Sequence, residues 1–158
     1  MKAVTINELK KELAGLSSRR ILEICLRLAK YRKENKELLT YLLFDSDDEQ
    51  EYIKKIKFEI DLQFQGINKS NLYYIKKSLR KTLRITNKYI KYSGNKQTEV
   101  DLLIYFCKKF QELKIPIQKS AALSNLYQRQ IQKINKTAKT FHEDLQYDYE
   151  IEVESLKV

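Results

Sequence analysis

Leu72-Tyr73-Tyr74-Ile75-Lys76-Lys77-Ser78-Leu79-Arg80-Lys81-Thr82-Leu83-Arg84-Ile85-Thr86-Asn87-Lys88-Tyr89-Ile90-Lys91-Tyr92 runs for 21 residues without a glycine, a proline or an acid. At 100° per residue, Leu72, Ile75, Leu79, Leu83, Thr86 and Ile90 fall within about 80° of arc, the spacing of one buried helix face. Lys76, Lys77, Arg80, Lys81, Arg84, Lys88 and Lys91 take an adjacent arc of about 140°. Tyr73 lies inside that arc, and Tyr74 and Tyr92 lie at its edge. Ser70 or Asn71 starts this helix, and Ser93-Gly94-Asn95 ends it with a glycine cap. At about 22 residues it is roughly 33 Å long, the longest helix the chain encodes.

The same period extends outward in both directions. Downstream, Thr98 with Asp101 opens a helix through Leu113, and Lys114-Ile115-Pro116-Ile117 is a connector because proline stops a helix. A further helix runs from Ser120 to Phe141 on Leu123, Leu126, Tyr127, Ile131, Ile134 and Ala138. Upstream, Thr5 and Glu8 have capping-box spacing for a first helix to Leu13, which Gly15 ends. Ser17 or Ser18 caps a second helix with the stripe Ile21, Ile24, Cys25, Leu28 and Tyr31. The stretch Glu34 to Phe44 is apolar almost all round, which predicts a helix at the centre of the core. Asp45-Ser46-Asp47-Asp48-Glu49 reads as a turn into a helix that buries Tyr52, Ile53, Ile56, Ile60 and Phe64, with acids complementing its N-terminal dipole.

Three glycines and one proline in 158 residues cannot supply the turns of an all-β or doubly wound fold. The expected fold is therefore all-α, a single-domain antiparallel helical bundle or a short α-solenoid of six to seven helices, over residues 1–141. Residues 142–158 form an acidic C-terminal segment. There, Leu145, Tyr149, Val153 and Leu156 suit a helix face, while Asp148 to Glu154 alternates like a strand, so helix and docked arm are both open. The longest apolar run, Leu102 to Cys107, falls far short of a membrane span. The charged N-terminus, Met1 to Glu12, is unlike a signal peptide, which leads to the expectation of a cytoplasmic protein. Cys25 and Cys107 sit among Leu and Ile and are expected as buried reduced thiols.

Glu8-Leu9-Lys10-Lys11-Glu12-Leu13, then Leu16-Ser17, then Lys36-Glu37-Leu38-Leu39-Thr40-Tyr41-Leu42 resembles small uncharacterised bacterial all-helical proteins. The run of helical hairpins resembles the curved arrays of armadillo- and HEAT-type repeat proteins in architecture. The resemblance implies a helical fold and no activity.

The net charge of +10 is blocked. Residues 1–44 carry +5, 45–68 carry −4, 69–98 carry +9 with no acid, 120–141 carry +4, and 142–158 carry −5. Lysine outnumbers arginine 24 to seven, and lysine, isoleucine, asparagine and tyrosine share AT-rich codons, so the total alone says little. The position of the basic block says more. A helix face of cations and tyrosines suits a phosphate backbone, which such side chains hold electrostatically and by stacking. It equally suits an acidic partner, a solvated surface, or the chain's own acidic tail.

Catalytic chemistry is poorly represented. His142 is the one histidine, beside Glu143 and Asp144, and reads as a surface or capping residue. Three isolated glycines make no phosphate loop. Asp45, Asp47, Asp48, Glu49 and Glu51 could gather a hard cation but lack the glycine and closing glutamate of an EF-hand, and capping accounts for them. Glu59 and Asp61 do not converge into an acid–base pair. No catalytic residue, metal or cofactor is expected. The expected function is a non-enzymatic helical interaction protein that binds a macromolecular partner, a protein or a second copy, through a helix face. One version of self-association sets the acidic tail of one chain on the basic helix of another. The alternative is a nucleic-acid-binding protein using the basic face of the 70–92 helix, with Lys76, Lys77, Arg80, Lys81, Arg84, Lys88, Lys91, Tyr73 and Tyr92 as its binding residues.

Overall fold

The computed structural model describes residues 2–157; Met1 and Val158, the outer ends of the two expected segments, lie outside the described residues. Among these, eight α-helices and no strand are found. The helix beyond the seven expected is the acidic segment. By its internal contacts the chain divides into two compact units, Met1–Phe44 and Asp45–Val158.

The first unit contains α1 (Ile6–Ala14), α2 (Ser18–Tyr31) and α3 (Lys33–Thr40), and a π-helical turn follows over Tyr41–Asp45. The Thr5–Glu8 capping box is complete: Thr5 Oγ1 accepts from the Glu8 N–H at 3.3 Å, and the Thr5 N–H donates to the Glu8 carboxylate at 2.7 Å. Ser17 caps α2 by accepting from the Arg20 N–H. One extended residue, Arg32 (φ −143°, ψ 147°), breaks the chain between α2 and α3 and lets the two pack on each other. The Asn35 amide then ties α3 back to the Leu28 carbonyl at 2.8 Å.

The stretch expected at the centre of the core is not there. Of residues 2–44 only Tyr41 is buried, and Leu42, Leu43 and Phe44 are exposed. Apolar residues all round a helix provide several faces that could be buried, but only surrounding elements can bury them. In its own unit, α3 is packed chiefly against α2.

The core lies in the second unit, built from α4 (Glu49–Gln65), α5 (Leu72–Ser93), α6 (Lys96–Glu112), α7 (Ala121–Ala138) and α8 (Glu143–Glu154). The central helix is α6, which packs against α4, α5 and α7. Its Leu102, Leu103, Phe106, Cys107 and Phe110 have no solvent exposure. An aromatic run from Phe64 through Phe106 and Phe110 to Tyr127, edge-on at its two ends and tilted in the middle, ties α4, α6 and α7 together. The buried residues of α4 are the five expected from its spacing.

Helix α6 begins earlier than Thr98. The Asn95 side chain caps it, accepting from the Gln97 and Thr98 N–H groups, and the Thr98 hydroxyl instead donates to Glu49 of α4. Glu49 also accepts from the Ser93 hydroxyl, so one carboxylate joins the start of α4, the end of α5 and the start of α6. A 3-10 turn, Ile117–Lys119, follows Pro116 and leads to Ser120, which caps α7.

The acidic segment is a helix. α8 buries Tyr149 and Val153 and packs against α7, and Leu156 just beyond it is also buried. The Tyr149 hydroxyl donates to Asp101 of α6 at 2.7 Å, and the Tyr127 hydroxyl of α7 donates to the Leu156 carbonyl at 2.7 Å. The three anchors have the four-residue and three-residue steps of a helix, which the two-residue alternation concealed.

Candidate functional site

Asn71 starts α5 by accepting from the N–H groups of both Tyr73 and Tyr74. Gly94 ends it in the left-handed region at φ 66°, with its N–H on the Ile90 carbonyl. Between these caps, Ile75, Leu79, Thr82, Thr86 and Ile90 are buried. Leu72 and Leu83, expected in the seam, are only half-buried, and Thr82 takes a place in it. Burial of Thr82 and Thr86 is possible because each hydroxyl donates to the carbonyl four residues back, Ser78 and Thr82 respectively.

The apolar seam rotates the basic residues outward. Lys77, Arg80, Lys81, Arg84, Lys91 and Tyr73 are exposed, while Lys76, Lys88 and Tyr92 are half-buried. Lys76 lies 5.9 Å from the centre of the Tyr73 ring. Lys88 lies 4.7 Å from that of Tyr89 and 5.9 Å from that of Tyr92. Tyr73 meets Tyr74 edge-on at 5.4 Å, so two rings stand exposed at the start of the helix. The Tyr92 ring, expected as a stacking group, packs against Tyr89. Tyr73, Lys76, Lys77, Arg80, Lys81 and Arg84 line one open depression of about 390 Å³.

Among the described residues, Lys76, Lys77, Arg80, Lys81, Arg84 and Lys91 form no ion pair. Several acids of the two acidic clusters have other partners. Helix α8 sits on α7 and reaches α6 through Glu152, paired with Lys108 at 2.7 Å. Asp45 pairs with Lys55 at 2.6 Å, Asp48 caps α4 through the Glu51 N–H, and Glu51 meets Lys54.

Sequence reading did not find Lys133 of α7, which reaches α5 at Asn87 (3.2 Å) and pairs with Glu99 of α6 (2.6 Å). Its signal was the acid-free +4 block at 120–141, but the helix that block would meet could not be read from spacing.

The other candidates have structural partners. Asp61 accepts from the Tyr105 hydroxyl and pairs with Lys109 at 3.0 Å, which raises the Lys109 pKa above the usual lysine value. Glu59 accepts from Gln63. His142 is exposed at the start of α8, with Asp144 at 3.6 Å. Burial pushes the Cys107 thiol up to about 12, so it is held as the neutral thiol. Cys25 is half-buried, lining a groove between α2 and α3. Among the described residues no three His, Cys, Asp or Glu side chains gather as metal ligands, and no helix is long and apolar enough to cross a membrane.

No protein-family model, curated protein or solved structure matches the chain.

Proposed function

We propose that this protein is a non-enzymatic helical interaction protein that holds nucleic acid along the basic face of α5, mainly by contacts to the phosphate backbone. One observation carries the reading: Lys77, Arg80, Lys81, Arg84 and Lys91 stand exposed on one helix face without ion pairs, while the acidic α8 packs on α6 and α7. Cations that form no internal ion pair can displace the counterions of a polyanion, which is the main source of sequence-independent affinity. Tyr73 and Tyr74, exposed at the start of the helix, add ring faces on which bases can stack. One helix face without base-reading groups argues for binding by backbone rather than by sequence. Two free cysteines are in keeping with a reducing, cytoplasmic compartment.

The test is binding of labelled single-stranded and duplex oligonucleotides to the wild type and to Lys77→Glu/Lys81→Glu/Arg84→Glu. The expected result is retention by the wild type at low salt and a loss of at least tenfold in the variant, with unchanged helical circular dichroism. No retention of either oligonucleotide by the wild type at low salt, or equal binding by a folded variant, would overturn the proposal.

A further inference from the structure

The first unit is a set of amphipathic helices whose apolar faces are not buried. Between Leu22 and Phe44, eight large hydrophobic side chains are 36–78% exposed. The apolar residues of α2 spread over an arc of about 220°, from Tyr31 round to Leu26, at 100° per residue. A helix packed against one neighbour needs an apolar arc of only about 100°. In its unit, α2 packs on α3, and much of that arc faces outward. Between the two helices runs an open groove of about 250 Å³, lined by Cys25, Leu28, Ala29, Leu38, Leu39 and Leu42. A helical hairpin with its groove open has the form of half a four-helix bundle.

Such a unit has little to hold it together by itself. Only Tyr41 is buried among residues 2–44, and helices of eight to 14 residues are marginal in water without a packed face. We infer that the α2–α3 hairpin is a dimerisation surface and that its occupant is the same hairpin of a second copy of this chain.

The area fits that occupant. At roughly 150 Å² per large side chain and the exposures above, the eight residues offer at most about 700 Å² of apolar surface, with Leu28, Leu38 and Leu42 in the groove itself and the others around it. A standard specific interface takes about 800 Å² from each partner. A two-fold pair needs a face complementary to itself, and two apolar hairpins laid groove to groove provide it. The second unit, by contrast, already buries most of its large apolar side chains in its own core. This inference is independent of the reading of α5 and stands or falls separately.

Sedimentation equilibrium of the full chain tests it, together with maleimide labelling of Cys25. The expected mass is twice the 18.9 kDa of one chain at micromolar concentration, with Cys25 labelling slowed at least tenfold relative to the monomeric variant. Leu28→Glu/Leu42→Glu, which alters exposed positions in the groove, should give a monomer, whereas Lys77→Glu should stay dimeric. A wild type that is monomeric at 100 µM overturns the inference, whether Cys25 labels fast, as an open groove requires, or slowly, as a groove filled from within its own chain requires. A dimer that survives the double substitution in a folded variant also overturns it. If the double variant unfolds, Leu28→Ser, at a groove-lining residue 55% exposed, replaces it, with at least a tenfold weaker dimer expected and unchanged affinity counting against the inference.

Discussion

Asp101 lies in an environment that its sequence context does not announce. It reads as an N-terminal acid of α6, yet it lies between α6 and α8, where it accepts from Tyr149. Burial raises its pKa, against the lowering by that hydrogen bond and by Lys57. Raised in the folded chain above 3.8, it binds its proton more tightly there than when unfolded, so its contribution to stability falls as pH rises through the carboxylate range. Asp101→Asn keeps an acceptor for Tyr149 and removes the ionisation. The stability of this variant relative to wild type should therefore move in its favour between about pH 4 and pH 7. Urea unfolding at the two pH values checks this, and a difference that stays constant or moves the other way would rule it out. Nothing in the spacing of Asp101 signals its burial, because α8 lies some 45 residues further along the chain.

At the scale of elements, most boundaries were legible because capping is local. Thr5 caps as its spacing predicts, Ser17 and Asn71 are the capping members of the pairs Ser17 or Ser18 and Ser70 or Asn71, and Ser120, expected at the start of its helix, caps it. Gly94 is the sharpest stop. At φ 66° an alanine is strained although nothing lies within 4 Å of the added carbon, so Gly94→Ala should cost about 1 kcal/mol, read as a lower urea midpoint at constant slope. Asparagine, which tolerates that backbone better, should cost less. Two element readings missed for one physical reason. Thr98 looked like a cap but donates to Glu49, and Asn95 caps in its place. The Glu34–Phe44 stretch looked central but lacks neighbours in its unit, and α6 occupies the core. Hydropathy periodicity shows which face can be buried and is silent on what arrives to bury it.

At the scale of the whole molecule, the charge of +10 matters through its distribution. If the five exposed, unpaired cations of α5 each meet a phosphate, log affinity should fall against log salt with a slope near −4.5 for duplex and about −3.5 for single strands. Going from about 50 to 200 mM salt then weakens binding roughly 100-fold for single strands and about 500-fold for duplex, and the triple charge reversal should flatten the slope by about two to three. A titration in salt measures both, and a slope near zero would mean that α5 is not the contact surface.

Helix content, most caps and the arc of cations on α5 are properties of local spacing, and the amino-acid sequence alone determined them. Local backbone geometry repeats every 3.6 residues wherever the chain goes. The location of the acidic helix was decided by tertiary structure alone, because Tyr149, Val153 and Leu156 are buried there, and Tyr149 and Leu156 bond to distant residues of α6 and α7. That docking leaves the basic face of α5 without an internal acid. Burial and charge pairing depend on which distant surfaces meet, and spacing along the chain carries no record of that.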